Sequence, residues 1–134
     1  MASTSKAVVI LGILVFLQVS GAAGQAGWVP AVMSLNGFQQ GEEGGPAECD
    51  GQYHSDSIPW VSLSSAWYDH GLRCGKMIIV RSKLDVRMEV MVVDECDTEN
   101  GCRADEISTS IAVWNFLGLD TSRGEESVTW ADVV

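Results

Sequence analysis

Acidic residues that could do chemistry gather in two short stretches of the 134-residue chain. Asp50 and Asp56 lie in GGPAECDGQYHSD, and Asp94, Glu95 and Asp97 in VVDECD. Glycoside hydrolysis needs two carboxyls facing each other across a sugar, one as acid and one as base or nucleophile. The chain holds 18 acidic residues, so groupings of this kind also arise by chance. Asp94 follows an alternating strand pattern, where a carboxylate is expected to fix a turn by accepting bonds from backbone amides. His54 and His70 could exchange protons near neutral pH, yet nothing in the sequence sets a serine, cysteine or carboxylate beside either, so surface or capping roles are expected. DECDTEN (Asp94 to Asn100) lacks the helix–loop–helix calcium spacing and reads as a solvated acidic loop. Tyr53 and Trp60 flank loops, where exposed aromatic anchors stack on sugars or dominate protein contacts; simple packing is the alternative. The expectation is therefore a partner-binding surface carrying Asp50, Tyr53, His54, Trp60, Asp97 and Glu99, with no catalytic, cofactor-binding or metal-ligating residue.

The compartment follows from the N-terminus. Lys6 precedes the apolar run AVVILGILVFLQV (Ala7 to Val19), and small residues crowd Ser20 to Gly24. That is the pattern of a secretory signal peptide over residues 1–24; the apolar core is shorter than the roughly 20 residues of a bilayer span. The remaining residues 25–134 make one domain with an ordinary core. All four cysteines (Cys49, Cys74, Cys96, Cys102) fall there, an even count that in an exported chain favours two disulfides. Spacings of 25, 22 and 6 residues contain no Cys-x2-Cys knuckle, which argues against zinc. Loss of Lys6 takes the net charge from −10 to −11. A charge of this sign opposes nucleic acid and anionic membranes and favours solubility or a basic partner. No Asn-x-Ser/Thr sequon occurs.

The elements that must carry these residues centre on RCGKMIIVRSKLDVRMEVMVVDEC (Arg73 to Cys96). Met77 to Val80 is a short β-branched run, and Ser82 to Asp85 interrupts it. From Val86 the chain alternates, with Val86, Met88, Val90 and Val92 on one face and Arg87, Glu89 and Met91 on the other. Period-2 alternation either side of a four-residue break predicts a β-hairpin. AVMSLNGF (Ala31 to Phe38) reads as a strand ended by Asn36-Gly37. Gln39 to Pro59 reads as a surface loop. WVSLSSAWY (Trp60 to Tyr68) reads as a strand, Val61 and Leu63 on one face and Ser62 and Ser64 on the other, closed by Asp69-His70-Gly71. A further strand is expected near Glu106-Ile107. One helix follows, N-capped by Ser108, with Ile111, Trp114 and Leu117 on one face and Gly118 as a left-handed C-terminal cap. Ser127 to Trp130 is a last strand, and Trp67 and Trp114 are expected in the core. Strands with one late helix make a small barrel, not a helix-covered parallel sheet.

GGPAECDGQYHSD, LSSAWY, VVDECD, AVWNFLGLDTSRGE (Ala112 to Glu125) and VTWAD (Val128 to Asp132) together resemble the kiwellin, or ripening-related, family of secreted plant proteins. The resemblance covers roughly Val32 to Asp132. It implies a six-stranded double-psi β-barrel, related at a distance to barwin, the expansin N-terminal domain and one group of glycoside hydrolases. It departs from the family in a collapsed loop before Arg103, in lacking the cysteine-rich N-terminal region of longer members, and in having Ser108 where relatives carry an Asp. In catalytic relatives of the barrel an Asp near that position takes part in chemistry, so Ser108 argues against an enzyme. Of the three connectivities open to four cysteines, Cys49–Cys74 with Cys96–Cys102 is expected.

The resulting functional expectation is a secreted, monomeric, apoplastic, non-enzymatic protein associated with plant defence. It would bind other extracellular proteins, such as enzymes secreted by pathogens, through loops Gln39–Pro59 and Asp97–Asp105. Neither nucleic acid nor membrane is an expected partner. An expansin-like cell-wall carbohydrate binder and a hydrolase are the alternatives.

Overall fold

A computed structural model of the chain describes residues 27–42 and 44–134; the expected signal segment, residues 1–24, lies outside the described residues. Six strands form the body: β1 (Val29–Leu35), β2 (Trp60–Ser64), β3 (Met77–Arg81), β4 (Arg87–Cys96), β5 (Glu106–Thr109) and β6 (Glu125–Asp132). Their hydrogen-bonded order, β1-β5-β2-β4-β3-β6, closes through the β1–β6 pairing into a barrel. β1 runs parallel to β5 and β2 parallel to β4, while the remaining junctions are antiparallel. This is the six-stranded double-psi barrel, and closure leaves no free sheet edge.

Alternation explains the interior. Met33, Val61, Leu63, Ile78, Val80, Val90, Val92 and Ile107 point inward from successive strands and are fully buried. Trp114, on the helix α2 (Ile111–Leu117), and Trp130, on β6, complete that core. The β3–β4 hairpin forms where the sequence predicts it. Asp85 adopts φ 65°, the Ser82 amide donates to Val86 O at 2.9 Å, and the Ser82 hydroxyl accepts from the Val86 amide at 3.2 Å. β1 stops before Asn36-Gly37, and Gly118 caps α2 with φ 70°.

Three local expectations need correction. The segment after Ser64 does not extend: Ser65–Tyr68 turns into a one-turn helix, α1, and Asp69, His70 and Gly71 all take positive φ to close it. Ser62 and Ser64 are buried like Val61 and Leu63, because loops cover the outside of the barrel here. Ser108 is not a helix cap but a β5 residue paired with Ser34 and Ser62. The N-cap is Ser110, whose hydroxyl turns away from the helix to donate to Ile58 O and accept from Trp60 N. The buried face of α2 is consequently Val113, Trp114 and Leu117, with Ile111 exposed.

A second, smaller cluster lies outside the barrel wall. Phe38, Ala47 and Val93 are buried together, with Trp60 and Met91 packed against them. It exists because the β2–β4 register slips between Val61 and Ser62: Val61 pairs with Val92, but Ser62 pairs with Asp94. The skipped residue, Val93, faces outward and anchors the long loop of residues 36–59. A bulge of this kind re-aims the side chains that follow it, here Asp94.

Candidate functional site

The same slip builds a cleft. Ser34, Ser108, Ser62 and Asp94 are register neighbours across β1, β5, β2 and β4, so they form one row on the outer wall of the barrel. The cleft over this row has a volume of about 620 Å³, and the 44–48 and 97–102 loops wall it. Its floor is hydroxylic. Ser34 Oγ donates to Glu106 Oε2 at 2.7 Å and lies 2.9 Å from Ser108 Oγ. Its rim is acidic: Glu48, Glu95, Asp97 and Glu106 join Asp94, and among the described residues no lysine or arginine lines it. Arg103 approaches from the side, 3.6 Å from Glu106 and 2.8 Å from Glu125.

Asp94 is the partly buried carboxylate of this row. Its Oδ1 accepts from the Glu48 amide at 2.9 Å and from the Glu95 amide at 2.8 Å, tying the loop to the strand. Backbone amides are the partners expected of it: one belongs to a turn of the facing loop and the other to β4 itself. Burial pushes its carboxyl above the usual aspartate range against the lowering effect of those two amides, and the charges of Glu48 and Glu95 add to the rise. Tyr68, buried beneath the 44–49 loop with its hydroxyl 3.4 Å from Cys74 Sγ, is also pushed up, first by burial and then by Glu48, Glu95 and Asp94.

Disulfides fix both walls. Cys49–Cys74 ties the glycine-rich loop to the entry of β3, with Cys49 N also bonded to Val93 O at 3.0 Å. Cys96–Cys102 closes the second loop onto the end of β4. Cys96, Cys102 and Glu106 come within metal-binding distance of one another, but both sulfurs are oxidised and cannot serve as thiolate ligands.

The residues singled out from sequence divide between two places. Asp97 lines the cleft, and its Oδ1 accepts from the Glu99 amide to start the 98–100 turn; Glu99 itself is exposed outside the lining. Asp50, His54 and Trp60 meet in a separate patch. His54 Nε2 lies 2.9 Å from Asp50 Oδ2, and the His54 ring stands 4.6 Å from that of Trp60. The structure thus supplies the carboxylate beside His54 that linear spacing did not reveal. Trp60 is no exposed anchor: its ring packs on the outer cluster and its indole N–H donates to Ser55 O at 2.8 Å. Tyr53 is exposed next to this patch. Asp56 accepts from the Phe38 amide at 2.8 Å and holds the loop. Sequence reasoning missed Ser34, Glu48 and Glu106, which come from three distant segments: β1–β5 register sets Ser34 near Glu106, and the loop bonded to Asp94 and bridged at Cys49 brings in Glu48.

A family model described as Kiwellin-1 matches residues 17–133. The chain belongs to the kiwellin family. Ripening-related protein 7 of Oryza sativa subsp. japonica is 48% identical over 117 residues, covering 80% of this chain and 72% of that protein. Kiwellin of Actinidia chinensis var. chinensis is 40% identical over 113 residues, covering 76% of this chain and 53% of that protein. The chain thus spans about half the length of that kiwellin. Among solved structures, a mutant expansin of Clavibacter michiganensis in complex with cellohexaose superposes with a TM-score of 0.65 at 20% identity, over 80% of this chain and 50% of that one. The Streptomyces papain inhibitor superposes with a TM-score of 0.60 at 22% identity, over 80% of this chain and 94% of that one. At such identities the likeness concerns the barrel fold. Among the described residues of this kiwellin-family chain, no helix is long and apolar enough to cross a membrane.

Proposed function

We propose that this protein is a secreted, non-enzymatic kiwellin that acts in plant defence by binding another extracellular protein in the acidic cleft. The observation that carries the proposal is the composition of that cleft. Its floor is serine, its half-buried carboxylate Asp94 is engaged by two backbone amides, and the one aromatic among its described lining residues, Phe38, is buried in the outer cluster. A hydrolase needs a free acid opposite a second carboxyl, and a glycan groove needs aromatic platforms; the cleft favours neither. An open acidic concavity with disulfide-braced walls suits instead a basic protuberance of a folded protein, where complementary charge steers encounter and fixes register. The papain inhibitor shows that a barrel of this fold occurs in a protein named for restraining an enzyme, and that analogy is extended here to the kiwellin cleft.

The test is capture from extracellular fluid of infected plant tissue, run with the wild type and with Glu48→Lys combined with Glu95→Lys. The expected result is one specific, basic protein retained by the wild type and released by the charge reversal. Retention of no specific protein, or of the same protein by both baits, would sink the proposal. So would reducing-sugar release that vanishes in Asp94→Asn.

A further inference from the structure

The chain as a whole is strongly acidic, with a net charge of −10, yet three of its eight cationic residues, Arg81, Lys83 and Arg87, fall in the single β3–β4 hairpin end. Arg81 and Arg87 are direct register partners, an arrangement of like charges that opposes strand pairing. Both guanidinium groups converge on one indole: Arg81 Cζ lies 4.1 Å and Arg87 Cζ 5.1 Å from the Trp28 ring centroid. The ring face offsets part of the repulsion. Arg81 donates to Thr129 Oγ1 at 3.0 Å and meets no carboxylate in an ion pair among the described residues; the same holds for exposed Lys83. Arg87 has the exposed Asp85 at 3.0 Å. A shallow depression of about 410 Å³ opens beside Arg81 and Lys83, with Ser127 and Thr129 in its lining and one carboxylate, Asp85, which is paired with Arg87.

The acidic cleft does not cancel this charge. Arg87 and Asp94 bound β4 segments seven residues apart, about 23 Å at the usual strand rise. That is nearly three screening lengths of about 8 Å at physiological ionic strength. The hairpin end therefore presents cations locally, whatever the net charge.

We infer that the β3–β4 hairpin end binds a carboxylate-bearing polysaccharide. Arg81, Lys83 and Arg87 engage uronate carboxylates, for which the guanidinium fork is suited, and the Ser127 and Thr129 hydroxyls meet sugar hydroxyls. The repeated carboxylates of such a polymer match a cluster of cations, and its hydroxyls match the depression lined by Arg81 and Lys83. This surface lies apart from the cleft, so it stands or falls independently of the protein-binding proposal.

Calorimetric titration of the mature protein with oligogalacturonate tests it. The wild type should bind saturably at low salt and more weakly as sodium chloride rises. Lys83→Gln and the double variant Arg81→Gln/Arg87→Gln should each weaken binding, the double variant by about tenfold or more, as expected when charge-assisted hydrogen bonds are lost. Lys76→Gln, an exposed cation just before β3 at its opposite end, makes the same charge change as Lys83→Gln and should leave binding unchanged. Thermal melts verify that Lys83→Gln remains folded. No binding by the wild type overturns the inference, as does equal loss in Lys76→Gln and Lys83→Gln. Equal affinity for the fully methyl-esterified oligomer would rule out carboxylate recognition, and tighter binding of poly-glutamate would assign the surface to an acidic protein instead.

Discussion

Removing the Cys49–Cys74 bridge, as Cys49→Ala with Cys74→Ala, should be the most costly of the two disulfide deletions, and the loops they close say by how much. The bridge spans 25 residues and the Cys96–Cys102 bridge spans 6. Loop-closure entropy gives about 3.5 kcal/mol for the first and about 2.2 kcal/mol for the second. Both Cys49 and Cys74 pack against the main core, so lost contacts add to the first figure. For a domain of this size those values correspond to drops in Tm of roughly 10–20 °C and 7–12 °C. The native contacts that survive, Cys49 N to Val93 O and Gly75 N to Val92 O, hold the loop in place until unfolding. The variant is therefore expected to fold natively but weakly. Urea denaturation followed by circular dichroism, at one pH for both double variants, measures the difference. A Cys49/Cys74 variant destabilised by less than about 1 kcal/mol, or less than the Cys96/Cys102 variant, would refute the loop-closure reasoning.

Asp94 makes the stability depend on pH. Its folded pKa is raised, so between the unfolded and folded values the native state holds a proton that the unfolded chain has released; stability from this group is complete below the ordinary aspartate value of about 3.9 and is lost as pH rises through the folded value. Asp94→Asn keeps the oxygen that accepts both amides and should flatten that decline in a denaturation series across mildly acidic pH. An unchanged pH profile would show that burial of Asp94 has been overstated. Trp60→Ala should cost about 3 kcal/mol by removing the lid of the outer cluster, and hydrogen exchange should quicken in residues 36–59 while the barrel strands stay protected. Gly118→Ala, at φ 70°, should cost about 1 kcal/mol in the same denaturation assay with no change in fold.

What the linear sequence made legible is what alternation and turn chemistry encode. Val86 to Val92 announced the hairpin, Asn36-Gly37 the end of β1, and Gly118 the end of α2. Alternation reports which side of the barrel wall a residue faces; it cannot report whether the outer side is covered, and so Ser62 and Ser64 looked exposed while loops bury them. The Val61/Ser62 register slip left no mark in composition, yet it is what sends Val93 outward and sets Asp94 beside Ser62. Ser108 read as the helix cap, but β5 pairing with β1 and β2 claims Ser108 and Thr109 and leaves Ser110 at the cap position. The cleft was the least legible feature. Asp97 could be picked from its loop, but Ser34 and Glu106 gain meaning only through the pairing of strands far apart in the chain, and Glu48 only through the loop contact with Asp94. Net charge misled in a different way, since an average of −10 conceals a cationic hairpin end.

The central claim is that partners meet the acidic cleft, and hydrogen–deuterium exchange of the protein with and without its captured partner addresses it most directly. Protection is predicted in the amides of residues 44–48 and 95–102, with the outer ends of α2 and the β3–β4 turn unchanged. Protection confined to α2 or to the Tyr53–Trp60 patch, with both cleft walls exchanging as in the free protein, would contradict the account.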